Sequence, residues 1–410
     1  MPERIVLAEY KSDRIPGLSP EIARTFEATG AVKVSRDLDG VIRLAASSTV
    51  GLVRAGDVEL VLTPKVGVAR LLWLIGHAQN QSGWRDDDVD LEETDDLVAG
   101  LAVAFAHRAG RALAPGVLRG YQTVEETSPM LRGRLREADQ LRTRLGRVYP
   151  LEVRYDDYTA DIPENHLLLA ATRRLLRLPG VPAATRIELH RLNRGLADVT
   201  QRPPGTRLPM PAVSRLNRRY QPALRLAQIV LANHGIDMPA APNAPGGPTV
   251  AATGFLFDMN KVYEDWLTAT VRIALEPYGG VVEGQRVIHL DESGRLAPRP
   301  DITWWRDGRC LAVLDAKYKS PKGHDFPADD LYQLIAYCTA LDLPEGHLIY
   351  AGGVPTSYGI RGSGPRIRCH VLDLRRPVTT LLVKLSEIAE SVAAFQAGNP
   401  RNTPSENKGR

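Results

Sequence analysis

Cysteine is scarce in this sequence, and long apolar runs are missing. Three cysteines, at positions 310, 338 and 369 of 410, are odd in number and widely spaced, which fits neither a disulfide framework nor a zinc site. No apolar run approaches the roughly 18 residues of a membrane span, and the opening MPERIVLAEYKSD has no signal-peptide core. These absences predict a protein of the reducing cytoplasm that has no membrane partner.

Lysine is absent from residues 107–225. In this segment 22 arginines stand against 11 acidic residues, a net charge of +11, whereas the whole chain carries +4. A basic segment can follow a nucleic-acid backbone. Arginine-rich helices also present their charges simply to solvent, so the charge pattern leaves both roles open.

The hydrophobic pattern changes along the chain. Short apolar runs divided by Gly or Asp-Gly predict strands before residue 80, together with a helix capped by Ser19. Helical spacing dominates after residue 97, and strands alternate with helices after residue 250, so the last region is predicted to be α/β. We therefore expect a strand-rich N-terminal domain (1–96), a mainly helical, arginine-rich middle domain (97–237), a proline- and glycine-rich linker (238–249), an α/β domain (250–395) and a disordered tail (396–410).

Residues 299–320, RPDITWWRDGRCLAVLDAKYKS, place Asp301, Asp315 and Lys317 on strands that are otherwise apolar. Asp307-Gly308 predicts a hairpin turn between the two strands. Residues two apart in a strand point to the same face, so the second aspartate and the lysine are expected side by side.

The register of this hairpin decides whether the two aspartates meet. A two-residue turn alone would pair Asp301 with Leu314 and send the aspartates to opposite faces. A three-residue turn at 307–309, or an equivalent bulge, would instead bring Asp301 opposite Asp315. We predict one of these two arrangements if the aspartates form a site.

Paired carboxylates beside a lysine have a specific chemistry. Two carboxylates held close together repel each other, and a divalent cation relieves the repulsion. Hard oxygen ligands favour Mg²⁺, with Mn²⁺ as the alternative. A lysine on the same face suits a water molecule or a phosphate oxygen, so the set predicts metal-dependent phosphodiester hydrolysis.

Two predicted helices add polar residues. Glu264 follows a helix start at Asp258 or Asn260 and is expected to point towards the metal. Gln333 and Tyr337 lie four residues apart on one helix face, where both can hydrogen-bond a phosphate or the strand lysine.

In this order, Glu264, Pro300-Asp301, Asp315-Ala316-Lys317 and Gln333-x-x-x-Tyr337 resemble the PD-(D/E)xK nuclease superfamily. More narrowly, the chain resembles the McrC family, the nuclease subunit of McrBC-type restriction systems that act on modified (5-methylcytosine) DNA. The segments that carry this narrower likeness are VELVLTPKVG, LRGRLREADQL, VRYDDYTADIPENHLLLAATRRLL, RLNRRYQPALRLAQIVL, FLFDMNKVYEDW, RPDI and LDAKYK.

The resemblance implies a fold and a set of roles. Residues 250–395 would form a restriction-endonuclease-like core, a mixed sheet flanked by helices. The implied Mg²⁺ ligands are Asp301, Asp315 and the Ala316 carbonyl, and Glu264 would contact the ion directly or through water. Lys317 would orient or activate the attacking water. Gln333 and Tyr337 would shape the site.

The resemblance also implies partners. McrC proteins work with a hexameric AAA+ GTPase ring, McrB, which supplies the motor and the recognition of modified cytosine. Their N-terminal region docks into the ring pore and stimulates GTP hydrolysis, so residues 1–237 would be the docking part. The sequence has no G-x-x-x-x-G-K-[ST] phosphate loop, which assigns nucleotide hydrolysis to another chain.

Three functions stay open. The first is a Mg²⁺-dependent endonuclease subunit that cuts double-stranded DNA with its ring, two copies meeting for a double-strand cut. The second is a stand-alone nuclease of DNA repair or end processing, and the third is a non-catalytic adaptor that activates the ring. The complete Glu-Asp-Asp-Lys set favours the first two, and the long N-terminal region favours the first over the second.

Overall fold

The computed structural model describes residues 3–79, 96–144, 147–203, 206, 208–232, 236–238, 240, 250–319, 321, 326–362 and 364–397. The predicted linker is described only at residues 238 and 240, and the predicted tail only at residues 396 and 397; the remainder of both lies outside the described residues.

The chain divides into two compact units. The first comprises Met1–Leu97, Ile236–Ala252 and Leu256–Arg410, and the second comprises Val98–Gly235 and Thr253–Phe255. The sequence suggested separate domains at 1–96 and 250–395, whereas the structure places both in one unit. The physical reason is a strand after residue 250 that completes the N-terminal sheet.

The first unit begins with short strands and two helices. Their bounds are β1 Glu3–Ala8, β2 Ser12–Ile15, α1 Pro20–Ala28, β3 Val32–Arg36, β4 Ile42–Ala46, β5 Thr49–Ala55, β6 Val58–Thr63 and α2 Val68–Gln79. As predicted, Ser19 caps α1: its hydroxyl accepts a hydrogen bond of 3.2 Å from the Glu21 N–H. β2, β4 and β3 form a small antiparallel sheet.

The second unit combines helices with a long ribbon. Its elements are α3 Leu97–Leu113, β7 Gly120–Ser128, β8 Arg134–Leu135, α4 Glu137–Arg144, β9 Leu151–Thr159, α5 Pro163–Arg177, α6 Ala183–Gly195 and α7 Gln221–Ala232. β7 and β9 pair antiparallel over nine residues each, with β8 on the other edge of β9. α5 packs on α6 and α7, which gives this unit its helical core.

The remaining elements of the chain belong to the first unit, apart from residues Thr253–Phe255 of β11. They are β10 Ile236–Met238, β11 Ala252–Asp258, α8 Met259–Leu275, β12 Val281–Gly284, β13 Ile302–Arg306, β14 Arg309–Lys317, α9 Ala328–Ala340, β15 Glu345–Tyr350, β16 Thr356–Gly359, β17 Arg366–Val371 and α10 Val378–Ala397.

β11 belongs to the N-terminal sheet rather than to the helix that follows it. The sheet order is β1-β6-β5-β11-β10, with β1 and β6 parallel and β5 and β6 antiparallel. α2 also packs on α8, where Trp73 and Trp266 meet edge to face with ring centroids 5.9 Å apart. The sheet and this helix pair tie the first and last thirds of the chain together.

A second large sheet has the order β12-β13-β14-β15-β17-β16. Its central strands β14, β15 and β17 run parallel, and the strands on both sides are antiparallel to their neighbours. α9 packs on β14, β15 and β17, whereas α8 packs on β12, β14 and α10. Parallel strands covered in this way read as continuous apolar runs, as LAVL in β14 does.

The observed architecture is therefore mixed α/β, with several sheets flanked by helices, as the sequence predicted. In the described part of the chain, no helix has the length and apolar character that crossing a membrane requires.

Candidate active site

The turn between β13 and β14 contains two residues. Arg306 pairs with Arg309, and Asp307 and Gly308 between them have φ of 50° and 76°. Positive φ at both central positions is the type I′ geometry that Asp-Gly favours. The predicted three-residue turn is therefore wrong.

The alternative prediction, a bulge, is confirmed. Trp305 pairs with Cys310 but Trp304 pairs with Ala312, so Leu311 is an extra residue on β14. Beyond the bulge Ile302 pairs with Leu314. Continuing this register by one residue places Asp301 level with Asp315, which a hairpin without a bulge would not do.

Asp301 and Asp315 meet at the end of this hairpin. The Ala316 N–H donates a hydrogen bond of 2.9 Å to Asp301 Oδ2, which holds the first carboxylate against β14. The Asp315 side chain is 3% exposed, and its Oδ2 lies 2.5 Å from Lys317 Nζ. The predicted proximity of the strand aspartate and lysine is observed.

Lys317 also reaches α9. Its ammonium donates to Gln333 Oε1 over 3.1 Å, and Gln333 Nε2 donates to the Tyr337 hydroxyl over 2.8 Å. The helix thus presents Gln333 and Tyr337 on one face, as their spacing of four predicted. A continuous chain of polar contacts runs from Asp315 to Tyr337.

Glu264 approaches the aspartates through another residue. α8 begins at the N-cap Asp258, whose carboxylate accepts from the Asn260 N–H over 2.9 Å, and its buried face carries Trp266. Gln285 Nε2 then lies 2.8 Å from Glu264 Oε1 and 2.9 Å from Asp301 Oδ1. Gln285 therefore joins the two carboxylates.

Gln285 was not predicted from the sequence as a site residue. It follows β12 directly and has φ of 52°, a left-handed conformation unusual for glutamine. A single glutamine in a loop carries no sequence pattern, so no signal pointed to it. Only the fold shows that the loop after β12 crosses the end of β13.

Asp330 is a second residue that the sequence analysis missed. It is 6% exposed on α9, accepts a hydrogen bond of 2.7 Å from the Tyr350 hydroxyl, and pairs with Lys319 at 2.8 Å. One of its oxygens lies 3.8 Å from Lys317 Nζ. Its position three residues before Gln333, on the same helix face, was an available signal.

Burial and mutual repulsion dominate the electrostatics of this cluster. Burial raises the pKa of Asp301 to about 7, and the negative charge of Asp315 adds to the shift. Burial likewise raises the pKa of Asp315, although the Lys317 ammonium opposes it. Burial alone would lower the pKa of Lys317, but the surrounding carboxylates, Asp315 foremost, raise it instead. The two aspartates therefore bind protons more strongly than exposed carboxylates do.

This donor set fits a hard divalent cation. A cation between Asp301 and Asp315 would offset the burial that raises both pKa values, together with the repulsion by Asp315 that adds to the shift of Asp301, and carboxylate oxygens suit Mg²⁺ or Mn²⁺. Within the described ranges no group of three or more His, Cys, Asp or Glu side chains is arranged to hold a metal ion. The contact of Glu264 with Asp301 runs through Gln285, so the third carboxylate stands one hydrogen bond further away.

Comparison with known proteins identifies the family. A family model described as a McrBC 5-methylcytosine restriction system component matches residues 44–351, more than half of the chain. The chain therefore belongs to this family, and the resemblance to McrC seen in the sequence is confirmed. Among curated proteins there is no significant match.

Two solved structures match this chain. One is a refined half-complex from a tetradecameric assembly of Thermococcus gammatolerans McrB AAA+ hexamers with bound McrC; it matches at 17% identity and a TM-score of 0.58, over 95% of this chain and 100% of that chain. The other is the cryo-EM structure of the Thermococcus gammatolerans McrBC complex, at 19% identity and a TM-score of 0.41, over 66% of this chain and 88% of that chain. Because only 17% of its residues are identical, the first match shows a likeness of fold alone.

Proposed function

We propose that this chain is the DNA-cleaving subunit of a McrBC-type restriction system, with a PD-(D/E)xK nuclease site in its first unit. In this proposal it is a Mg²⁺-dependent endonuclease that hydrolyses phosphodiester bonds of modified, methylated double-stranded DNA. It does so when assembled with an AAA+ GTPase ring whose GTP hydrolysis it stimulates. Membership of the family supports the restriction role.

One observation carries the nuclease assignment. The bulge at Leu311 brings Asp301 level with Asp315 and Lys317, and α9 meets the same strand end with Gln333 and Tyr337. A purely structural ion pair needs one carboxylate and one ammonium, whereas here a buried carboxylate, Asp315, and a half-buried one, Asp301, lie together and both have raised pKa values. Such an arrangement costs stability unless a cation or a proton compensates it.

The roles of the residues follow from these contacts. When bound, Mg²⁺ would neutralise the phosphate and lower the pKa of a water molecule. Asp301 and Asp315 would hold the ion, and Glu264 would steady Asp301 through Gln285. Lys317 would orient the attacking water and a phosphate oxygen, while Gln333 and Asp330 restrict where its ammonium can lie.

The second unit is the part best suited to dock with the ring. The loops that adjoin one end of this ribbon expose four large apolar side chains, namely Met130, Leu131, Val148 and Tyr149, each more than 60% exposed. Large exposed apolar side chains close to one another are typical of protein interaction sites. Residues 1–97, by contrast, lie in the unit that holds the candidate site. We therefore assign docking to the second unit, which is only a part of the predicted 1–237 segment. The first solved structure, in which McrC is bound to McrB AAA+ hexamers, supports an AAA+ ring as the partner.

DNA cleavage tests this proposal directly. Methylated and unmethylated plasmid would be incubated with Mg²⁺ and GTP and with this chain, alone or together with a McrB-type AAA+ GTPase. We expect cutting of the methylated plasmid in the mixture, and loss of at least about 100-fold in rate for Lys317→Ala. The control is Lys384→Ala, which removes an exposed lysine of α10 that pairs with Glu387 and should cut as the wild type does.

Three results would redirect the assignment. Cutting by this chain alone, with no effect of the partner or GTP, would make it a free-standing nuclease. Stimulated GTP hydrolysis without any cutting would make it an adaptor of the ring. Equal cutting by Lys317→Ala and wild type would place the nuclease site elsewhere.

A further inference from the structure

A polar contact joins the N-terminal sheet to the strand that carries Lys317. Glu9 directly follows β1, is 3% exposed, and accepts a hydrogen bond of 2.8 Å from the Tyr318 hydroxyl. The same oxygen, Oε1, accepts the backbone N–H of Lys65 over 2.6 Å. Two segments that follow the ends of parallel strands β1 and β6 thus converge on one residue of the site strand.

Tyr318 is the immediate neighbour of Lys317, and it points to the opposite face. Its ring is 1% exposed and lies 6.1 Å from the ring of Tyr263 on α8, the residue before Glu264. The Lys65 ammonium lies 4.1 Å from the Tyr318 ring centroid and donates to the Tyr318 carbonyl over 3.2 Å. Both the side chain and the backbone of Tyr318 are therefore held from the N-terminal segment.

A second attachment holds the helix that carries Glu264. Ser48, which directly precedes β5, donates through its hydroxyl to Asp258 over 2.9 Å and accepts from the Asn260 amide over 2.8 Å. The Ser48 carbonyl accepts the Met259 N–H over 2.9 Å. The N-terminal sheet thus anchors the start of α8 as well as the end of β14.

Burying the Glu9 carboxylate at this position costs free energy of folding. Burial raises its pKa, although the bonds from Lys65 and Tyr318 partly oppose the shift. Its second oxygen, Oε2, is buried without a hydrogen-bond partner among the described residues. An apolar residue here would avoid these costs, so stability alone does not account for a carboxylate that fixes one tyrosine hydroxyl.

We propose that Glu9 is a positioning residue of the candidate active site: by holding Tyr318 it fixes the end of β14 and thereby the place of Lys317. This inference rests on the proposed nuclease function for its effect on rate, but its effect on the strand stands independently. It gives the N-terminal sheet a role inside the nuclease unit, in addition to any role in docking.

The test compares full-length variants in two measurements. Glu9→Leu removes the acceptor, Tyr318→Phe removes only the hydroxyl, and Glu9→Gln keeps an acceptor oxygen of the same shape. Glu3→Leu is the matched control, since it removes an exposed glutamate of β1, the strand that Glu9 follows. The measurements are kcat and KM for DNA cleavage in the complete system, and amide hydrogen exchange in peptides from β14 and β17.

We expect Glu9→Leu and Tyr318→Phe to lower kcat by about 10- to 100-fold with KM unchanged, since displacements near 1 Å are costly in catalysis. Exchange should become faster at residues 315–318 but not in β17, and Glu9→Gln should recover most of the rate. Glu3→Leu should match the wild type in both measurements.

The outcomes separate this inference from the proposed function. If the wild type never cuts DNA but Glu9→Leu and Tyr318→Phe speed exchange at 315–318, the nuclease proposal falls and the positioning role stands. Unchanged exchange together with unchanged kcat would overturn the positioning role. Faster exchange in all peptides alike would also overturn it, because Glu9 would then act on general stability. Should Glu9→Leu fail to fold, Tyr318→Phe decides the question alone.

Discussion

Gly346 of β15 sets the distance between the central sheet and α9. A Cβ built on Gly346 would lie 2.5 Å from Cys338 Sγ and 3.0 and 3.1 Å from two carbon atoms of Leu334. Ordinary contacts begin near 3.4 Å, so in Gly346→Ala the helix must move away by about 0.9 Å. Such overpacking of a core costs about 1–3 kcal/mol of unfolding free energy.

The same displacement reaches the candidate site. Gln333 and Tyr337 lie on α9 beside the residues that Gly346→Ala pushes, so the bond from Gln333 to Lys317 should lengthen. We expect the cleavage rate to fall by roughly 10- to 100-fold. A substitution without any contact to DNA would thereby disable cleavage through packing alone.

A double-mutant cycle tests the cause. Urea unfolding would be measured for wild type, Gly346→Ala, Cys338→Ala and the double variant, with Gly359→Ala on β16, where a Cβ meets open space, as control. Because Cys338→Ala removes the closest atom, the double variant should recover about 0.5–2 kcal/mol relative to additivity. Additive energies, or a Gly346→Ala protein as stable as Gly359→Ala, would refute this account of the packing.

Two further predictions concern single residues. Gln285→Gly should lower cleavage, because it removes the bridge between Glu264 and Asp301, while a circular-dichroism melt stays near the wild type since φ of 52° suits glycine. His347 and His370 contact each other at 3.2 Å, and burial holds the pKa of His370 at about 4 and that of His347 well below its usual range. As the pH falls, both histidines are protonated in the unfolded chain at a higher pH than in the folded protein. The free energy of unfolding is therefore at its full value above pH 6.5. It falls as the pH drops towards 4, by up to about 1.4 kcal/mol per pH unit for each histidine. Urea unfolding at pH 7 and pH 5 should show a smaller loss in His370→Asn than in the wild type; an equal loss would contradict the sign or the cause.

Local signals were sufficient where neighbouring residues determine the structure. Asp307-Gly308 specified its turn through the φ values that both residues adopt. The position of Ser19 before a helical run gave the N-cap of α1. The spacing of Gln333 and Tyr337 likewise gave their common face on α9.

The bulge shows where local signals end. Nothing about Leu311 distinguishes it from its apolar neighbours, so its position could not be read from the sequence. The need for a register correction was nevertheless predictable, because the two aspartates could meet only if one residue were added. The need to bring two carboxylates together constrained the register of the hairpin, whereas packing determines that Leu311 is the bulged residue.

Pairing between strands that lie far apart in the sequence accounts for the larger difference between the predicted and the observed structure. β11 was not predicted, since its partners β5 and β10 lie in other parts of the chain and leave no mark on residues 252–258. Glu9 was missed for a related reason: burial gives it its partners, and burial depends on the complete fold. Sequence patterns describe which face a side chain takes, but not which distant segment covers it.

The order of the two units along the chain has a consequence for how such proteins diversify. The second unit occupies a nearly continuous stretch, Val98–Gly235, inserted between two portions of the first. A gene could exchange this stretch at two junctions and leave the candidate site, its sheet and the Glu9 contact encoded intact on either side. With docking proposed for this stretch, recombination would give the chain a new motor while the residues proposed to cut DNA are inherited unchanged.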